Sequence, residues 1–205
     1  MLDPLEEALD HVDSYLTQMA KVVVEMPRDL IRDVVQVLMD AWERRANVFV
    51  LGNGGSASTA SHMNSDLNKL TAVKSQPRFK AIALTDNVPL MTAWGNDTSY
   101  ENIFAEQLEN FVDNGDVVIG ISTSGNSPNV LKALQVAREH GAVTVGFTGR
   151  TGGKLKCLVD HCICIPSDNI GQQEDAHLIL NHVIATNLRR IIEEKTEDKA
   201  GGQNT

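Results

Sequence analysis

Four groups of residues have the types and spacing for chemistry. The run Gly52-Asn53-Gly54-Gly55-Ser56 sits between an apolar run and a helical pattern. Glycines there let backbone amides close on an anion, and a helix N-terminus supplies free N–H groups and a favourable dipole. It is neither a Walker A loop nor the dinucleotide fingerprint, which needs a glycine where Ala57 stands. A tight strand–helix turn accounts for it equally well. The second group is Ser122-Thr123-Ser124-Gly125-Asn126-Ser127, four hydroxyls in six residues. One hydroxyl, that of Ser127, could cap the next helix. Four exceed what a cap needs and suit a phosphate monoester. The third is His62 and Asp66, which share a helix face at i and i+4. A metal pair, an acid–base pair and an ordinary surface pair all use that spacing. The fourth is Glu174, Asp175, His177 and His182 in one helical stretch. Glu174 and His182 stand roughly 12 Å apart along the axis of a straight helix. One ion could take both only with stretched side chains, a distorted helix start or two subunits. A polar helix face is the plainer reading.

Alternating elements must hold these groups. Short apolar runs at 47–51, 80–84, 116–121, 142–147 and 161–165 read as strands. Helical patterns lie between them: from Ser56, at 88–95, 100–112 and 127–140, a short turn near 153–158, and a long last helix at 173–194. Near-continuous apolar strands alternating with helices mean a parallel sheet covered on both faces, with ligands at the carboxyl ends of the strands. Two helices precede the sheet. Leu5, Leu9, Val12, Leu16, Met19 and Val23 form a narrow heptad stripe over 5–24, the pattern of a helix–helix seam. Pro27 breaks that helix, and 28–44 carries a wider apolar face.

The chain of 205 residues suits one domain with a full core, residues 1–195, made of helices at 1–45 and an α/β part at 46–195. The polar segment 196–205 reads as a disordered tail. A net charge of −9 and 4% aromatics argue against nucleic acid and anionic membrane as partners. Any bound phosphate must therefore be held locally, by amides and hydroxyls. No apolar run approaches a membrane span, and the acidic start lacks signal-peptide order, so a cytoplasmic location is expected. Cys157, Cys162 and Cys164 lack paired zinc-site spacing and read as buried, inert thiols.

Taken in order, GNGGS, His62-x-x-x-Asp66, Trp94-Gly95-Asn96-Asp97, GISTSGNS (120–127) and Thr148-Gly149-x-x-Gly152-Gly153 resemble the sugar-isomerase (SIS) domain, and within it the phosphoheptose isomerases. The resemblance spans nearly the whole chain. It implies a five-stranded parallel α/β sandwich in flavodoxin-like order with an N-terminal helical layer. It further implies a homotetramer with active sites between subunits, and interconversion of sedoheptulose 7-phosphate with the heptose 7-phosphate aldose through an enediol. By match, Asn53, Gly54, Gly55, Ser56, Asp97, Ser122, Thr123, Ser124, Ser127 and Glu174 bind substrate. Asp66 is the base and His182 the acid. His62, Asp66, Glu174 and His182 are the ligand set for zinc, about one per subunit. The sequence departs from the family pattern in Asp66 for Glu, in Glu174 for Gln, in lacking the Arg near Lys69 and Leu70, and at Gly171. Two other classes stand beside the enzyme reading. One is a tetrameric scaffold for a replication initiator protein, whose members lose the acid and final histidine that this chain keeps. The other is a phosphosugar sensor, which needs no acid–base pair.

Overall fold

The five apolar runs pair as β1 (Asn47–Gly52), β2 (Lys80–Ala83), β3 (Val117–Ser122), β4 (Val143–Thr148) and β5 (His161–Cys164). All pairs are parallel, in the order β2-β1-β3-β4-β5. The computed structural model describes the backbone of residues 4–201 and the side chains of residues 11–196. Every residue of β3 is buried, because helices cover both faces of the sheet. Along β1 the side chains alternate between two cores: Val48 and Val50 join one, Phe49 and Leu51 the other.

The first core is closed by α2 (Arg28–Arg44), α3 (Gly55–Ser65) and α7 (Ile170–Gly201), through Val34, Leu38, Met63, Leu180 and Ile184. The second is closed by α5 (Ala105–Leu108) and α6 (Pro128–Glu139), through Phe104, Leu108, Val130 and Leu134. The first helix, α1 (Pro4–Glu25), turns Val22 and Met19 inward. Of its heptad stripe, Val12 and Leu16 are 53% and 61% exposed, while the side chains of Leu5 and Leu9 lie outside the described residues. Among the described residues no helix is long and apolar enough to cross a membrane.

Three expectations need correction. The stretch 100–112 is not one helix but a 3-10 turn at Tyr100–Asn102 followed by the single turn of α5; α4 (Val88–Asp97) precedes them. Ile103, Phe104, Leu108 and Val112 are buried while Tyr100 and Phe111 are exposed, and the buried Gln107 amide competes for the Ile103 carbonyl and ties the segment to Leu84. The last helix starts at Ile170, passes its expected end at 194 and continues to Gly201, beyond the expected domain end at 195. The added turns contain the helix formers Lys195, Glu197, Lys199 and Ala200, and they continue a turn already braced by the pairs Arg189–Glu193 and Arg190–Glu194 at i,i+4. Residues 202–205 of the proposed tail lie outside the described residues. Of the three thiols, Cys157 is exposed, while Cys162 and Cys164 sit half-buried with their sulfurs 3.8 Å apart. Burial pushes the Cys162 thiol up to about 12, which keeps it protonated and inert.

The inner face of α7 carries one buried imidazole, His177, whose Nε2 lies 3.3 Å from the Thr148 carbonyl at the end of β4. Burial pushes it down to about 4, so it is neutral in the folded protein. Between pH 6.5 and 4 the unfolded chain binds a proton there that the folded chain does not, so stability falls as pH falls through that window. The loss is about 3 kcal/mol. His177→Gln keeps a donor for the carbonyl and does not titrate. Denaturant titrations at pH 7 and pH 4.5 are expected to show a smaller stability drop in this variant than in the parent.

Candidate active site

The strand order reverses between β1 and β3, and in open α/β sheets ligands bind at that point. Gly52 pairs with Ile121, so the loops after β1 and β3 leave the sheet side by side. The first is the glycine run. Gly54 has φ 56°, a left-handed backbone that turns the chain into α3. The second is the serine run, and a reciprocal amide pair joins the two. Asn53 Nδ2 donates to Asn129 Oδ1 at 2.9 Å, and Asn129 Nδ2 donates to Asn53 Oδ1 at 2.8 Å. Tyr100 adds its hydroxyl to Asn53 Oδ1 at 3.1 Å.

Within the serine loop three hydroxyls converge. Ser122 Oγ lies 3.0 Å from Ser127 Oγ and 3.4 Å from Ser124 Oγ. Ser127 precedes α6, but its side chain does not cap the helix. The cap reading therefore fails for Ser127, and the cluster sits at a helix N-terminus with hydroxyls to offer an anion. A third loop locks the cluster in place. Gly149 N–H donates to the Thr123 carbonyl and Leu155 N–H to the Gly125 carbonyl. Gly125 has φ 62°, and a Cβ there would stand 2.1 Å from the Gly152 carbonyl oxygen. Only glycine permits that approach.

Acid–base chemistry is gathered where α3 packs on α7. His62 Nε2 and His182 Nε2 are 3.1 Å apart, and Asp66 Oδ2 lies 3.5 Å from the first and 3.8 Å from the second. The two rings meet edge to face at 73°. Asp66 opens a π-turn (Asp66–Leu70), in which its carbonyl accepts from Thr71 N–H. Such turns recur at functional sites. The Asp66 side chain is 15% exposed and the two imidazoles are nearly half exposed. Asn181, fully buried, donates its Nδ2–H to Asp66 Oδ2 at 2.8 Å.

Two imidazole nitrogens and a carboxylate oxygen, all within 4.8 Å of one another, fit a divalent ion. Ligands of a tetrahedral zinc ion at 2.0–2.2 Å stand roughly 3.3–3.6 Å apart, close to the observed separations. This donor set matches catalytic zinc sites with one open position.

Glu174 does not join this trio within one chain. Its carboxylate covers the start of α3, where a Cβ on Gly55 would lie 2.4 Å from Oε1. His62 is seven residues further on, roughly 10 Å along the helix axis. The straight α7 thus delivers Glu174 to one end of α3 and His182 to the other. Asp97 is exposed at the end of α4, where it accepts from Asn96 Nδ2. The Asn53 side chain is spent on Asn129 and Tyr100, so it braces the loops. Ser56 is buried beneath its loop, and Thr123 contributes its carbonyl to the loop lock.

Sequence reasoning missed Asn129, Tyr100 and Asn181. Asn129 is a polar residue in the first turn of a helix and Asn181 a lone amide in an apolar stripe; neither pattern separates them from ordinary surface residues. Tyr15 was missed as well. Its hydroxyl donates to Asp175 Oδ2 at 2.6 Å and pins α1 to the start of α7. That bond raises the tyrosine above its ordinary value.

A family model described as SIS domain matches residues 13–149. A phosphoheptose isomerase of Aneurinibacillus thermoaerophilus is 36% identical over 188 residues, covering 89% of this chain and 94% of the relative. Another, of Geotalea daltonii, is 39% identical over 186 residues, covering 89% and 96%. The solved structure of a phosphoheptose isomerase from Francisella tularensis superposes with a TM-score of 0.84 at 29% identity, over 89% of this chain and 98% of that one. A second, from Neisseria gonorrhoeae, gives 0.82 at 26% identity, over 90% and 98%. By sequence and fold, the chain belongs to the phosphoheptose isomerase family of SIS-domain proteins.

Proposed function

We propose that the chain interconverts sedoheptulose 7-phosphate and D-glycero-D-manno-heptose 7-phosphate. The observation that carries this reading is the meeting of His62, Asp66 and His182 towards one end of α3, with a hydroxyl-lined anion loop towards its other end. Aldose–ketose exchange removes a proton from the carbon next to the carbonyl, passes through an enediol, and returns the proton to the neighbouring carbon. It needs a base at carbon and an acid at oxygen. Asp66 Oδ2 faces the imidazoles and accepts from Asn181, which leaves Oδ1 to carry the carbon-bound proton. His182 is nearly half exposed and serves as acid and base at the two oxygens where its Nε2 is not bound to an ion. Ser122, Ser124 and Ser127 hold the phosphate. His62, Asp66 and His182 would hold a zinc ion, which would supply Lewis-acid stabilisation of the enediolate oxygen.

The same reading includes a homotetramer with sites shared between subunits. Support comes from the exposed stripe of α1 and from an apolar groove between α2 and α7, lined by Ile31, Val35, Val183 and Ile191. The separation of Glu174 from the histidines within one chain points the same way, since a neighbouring subunit could supply the missing half. Light scattering on the purified protein is expected to give about 90 kDa, four times the chain mass of 22.4 kDa. A single 22.4 kDa species would count against the assembly.

Two sets of substitutions separate binding from chemistry. Ser124→Ala removes a hydrogen bond to a charged group, so phosphosugar affinity is expected to fall roughly 10- to 150-fold by calorimetry. Unchanged affinity would remove Ser124 from the phosphate site. His182→Ala is expected to lower turnover of sedoheptulose 7-phosphate by about 10²–10⁴-fold while leaving phosphate affinity nearly intact. Asp66→Asn is expected to abolish turnover and weaken zinc binding together. A protein that binds phosphosugar, takes up no metal and turns nothing over would instead be a sensor or scaffold.

A further inference from the structure

We infer that Asn181 is a positioning residue: its amide aims the Asp66 carboxylate at the two imidazoles, and the chain keeps a polar group in its core for that purpose. The inference rests on the reading of His62, Asp66 and His182 as a divalent-ion site. Asn181 is completely buried on the face of α7 that also buries Leu180, Ile184 and Leu188. An aliphatic side chain would fit that stripe. The amide instead gives one N–H to Asp66 Oδ2 at 2.8 Å, while its own Oδ1 meets no donor of the protein among the described residues. The opposite orientation of the amide would set two acceptors against each other at that distance. One half of the group therefore serves Asp66 and the other half is left costly, the reverse of what packing alone would select.

Geometry explains why Asp66 needs the tether. Consecutive residues of a helix point about 100° apart, so Asn181 turns into the core while His182 reaches the edge of the same turn. One turn of α7 thus carries both a donor imidazole and the group that orients the carboxylate. The second donor imidazole, His62, is one turn before Asp66 on α3. Asn181 engages the same oxygen that lies 3.5 and 3.8 Å from the two imidazoles, which fixes that oxygen in place and leaves it a further lone pair. Outer-shell partners of ligating carboxylates act in this way in metal sites generally, and removing one costs about 10–100-fold in metal affinity.

Asn181→Leu keeps the branched shape and heavy-atom count, with a modest gain in volume, and removes both the useful donor and the costly acceptor. The full-length protein is titrated with zinc against a chromophoric chelator, and its melting temperature and phosphosugar affinity are measured alongside. Zinc affinity is expected to fall about 10–100-fold. The melting temperature is expected to stay level or rise, and phosphosugar affinity to stay unchanged. Turnover is expected to fall through kcat with KM unchanged. Asn181→Gln, which restores an amide donor, is expected to recover part of the zinc affinity. Unchanged zinc affinity in Asn181→Leu would overturn the inference while leaving the ion site standing. A parent protein that binds no zinc overturns the ion-site reading, and the inference with it. A fall in melting temperature with parallel losses of zinc and phosphosugar affinity would mark Asn181 as a packing residue and overturn it as well.

Discussion

The pairing of β1 with β3 is the constraint on which the site depends. These strands are neighbours in the sheet but not in the sequence, and their loops leave on the two sides of the reversal. An acidic chain has few cations to spare, so a phosphate must be met by hydroxyls, amides and helix ends, and such groups act only at short range. They therefore have to be held in register with one another. The Asn53–Asn129 amide pair does this across the two loops, and the lock of residues 149–155 on the serine loop does it from the far side. Parallel pairing at one point thereby substitutes for the arginine and lysine side chains that a less rigid loop would require.

The same pairing sends α3 away from the phosphate loop, with opposite ends in different roles. Its N-terminus faces the anion loops and its C-terminus carries His62 and Asp66. α7 runs beside it over a comparable length, so Glu174 arrives near the start of α3 and His182 near its end. Two packed helices thus define two stations roughly 10 Å apart. The π-turn after Ser65 widens α3 where the acid–base residues begin, and the buried Asn181 braces the carboxylate from below.

The parallel sheet was legible because buried strands carry continuous apolar runs, and each strand lies within a residue or two of its expected place. The serine loop was legible from its excess of hydroxyls, while the glycine loop and the His62/Asp66 pair gained a role only through the family resemblance, because a tight turn and a surface pair account for their spacing equally well. Tertiary partners were not. Nothing local in Asn181 tells that it reaches Asp66 across 115 positions of sequence. Nothing in Glu174 tells that it will rest on Gly55. The helical pattern at 100–112 misled because the competing side-chain bonds of Gln107 leave no mark in periodicity. The polar end of α7 misled in the opposite sense, since composition predicts a tail where local helix propensity continues a helix whose preceding turn is braced by i,i+4 ion pairs.

Proton transfer through an enediol is best protected where bulk water is kept away, yet both imidazoles are nearly half exposed in one chain. The phosphate loops lie at the other end of α3. One chain alone thus holds an open acid–base trio and, apart from it, a firm anion cradle. A second chain seated on α1 and on the groove between α2 and α7 would cover apolar surface that is otherwise wet, and the residues flanking that groove include Val183, next to His182. The same contact that stabilises the assembly would shield His182. On this view association is part of the catalytic design, because burial of the interface and desolvation of the acid–base residues are one event.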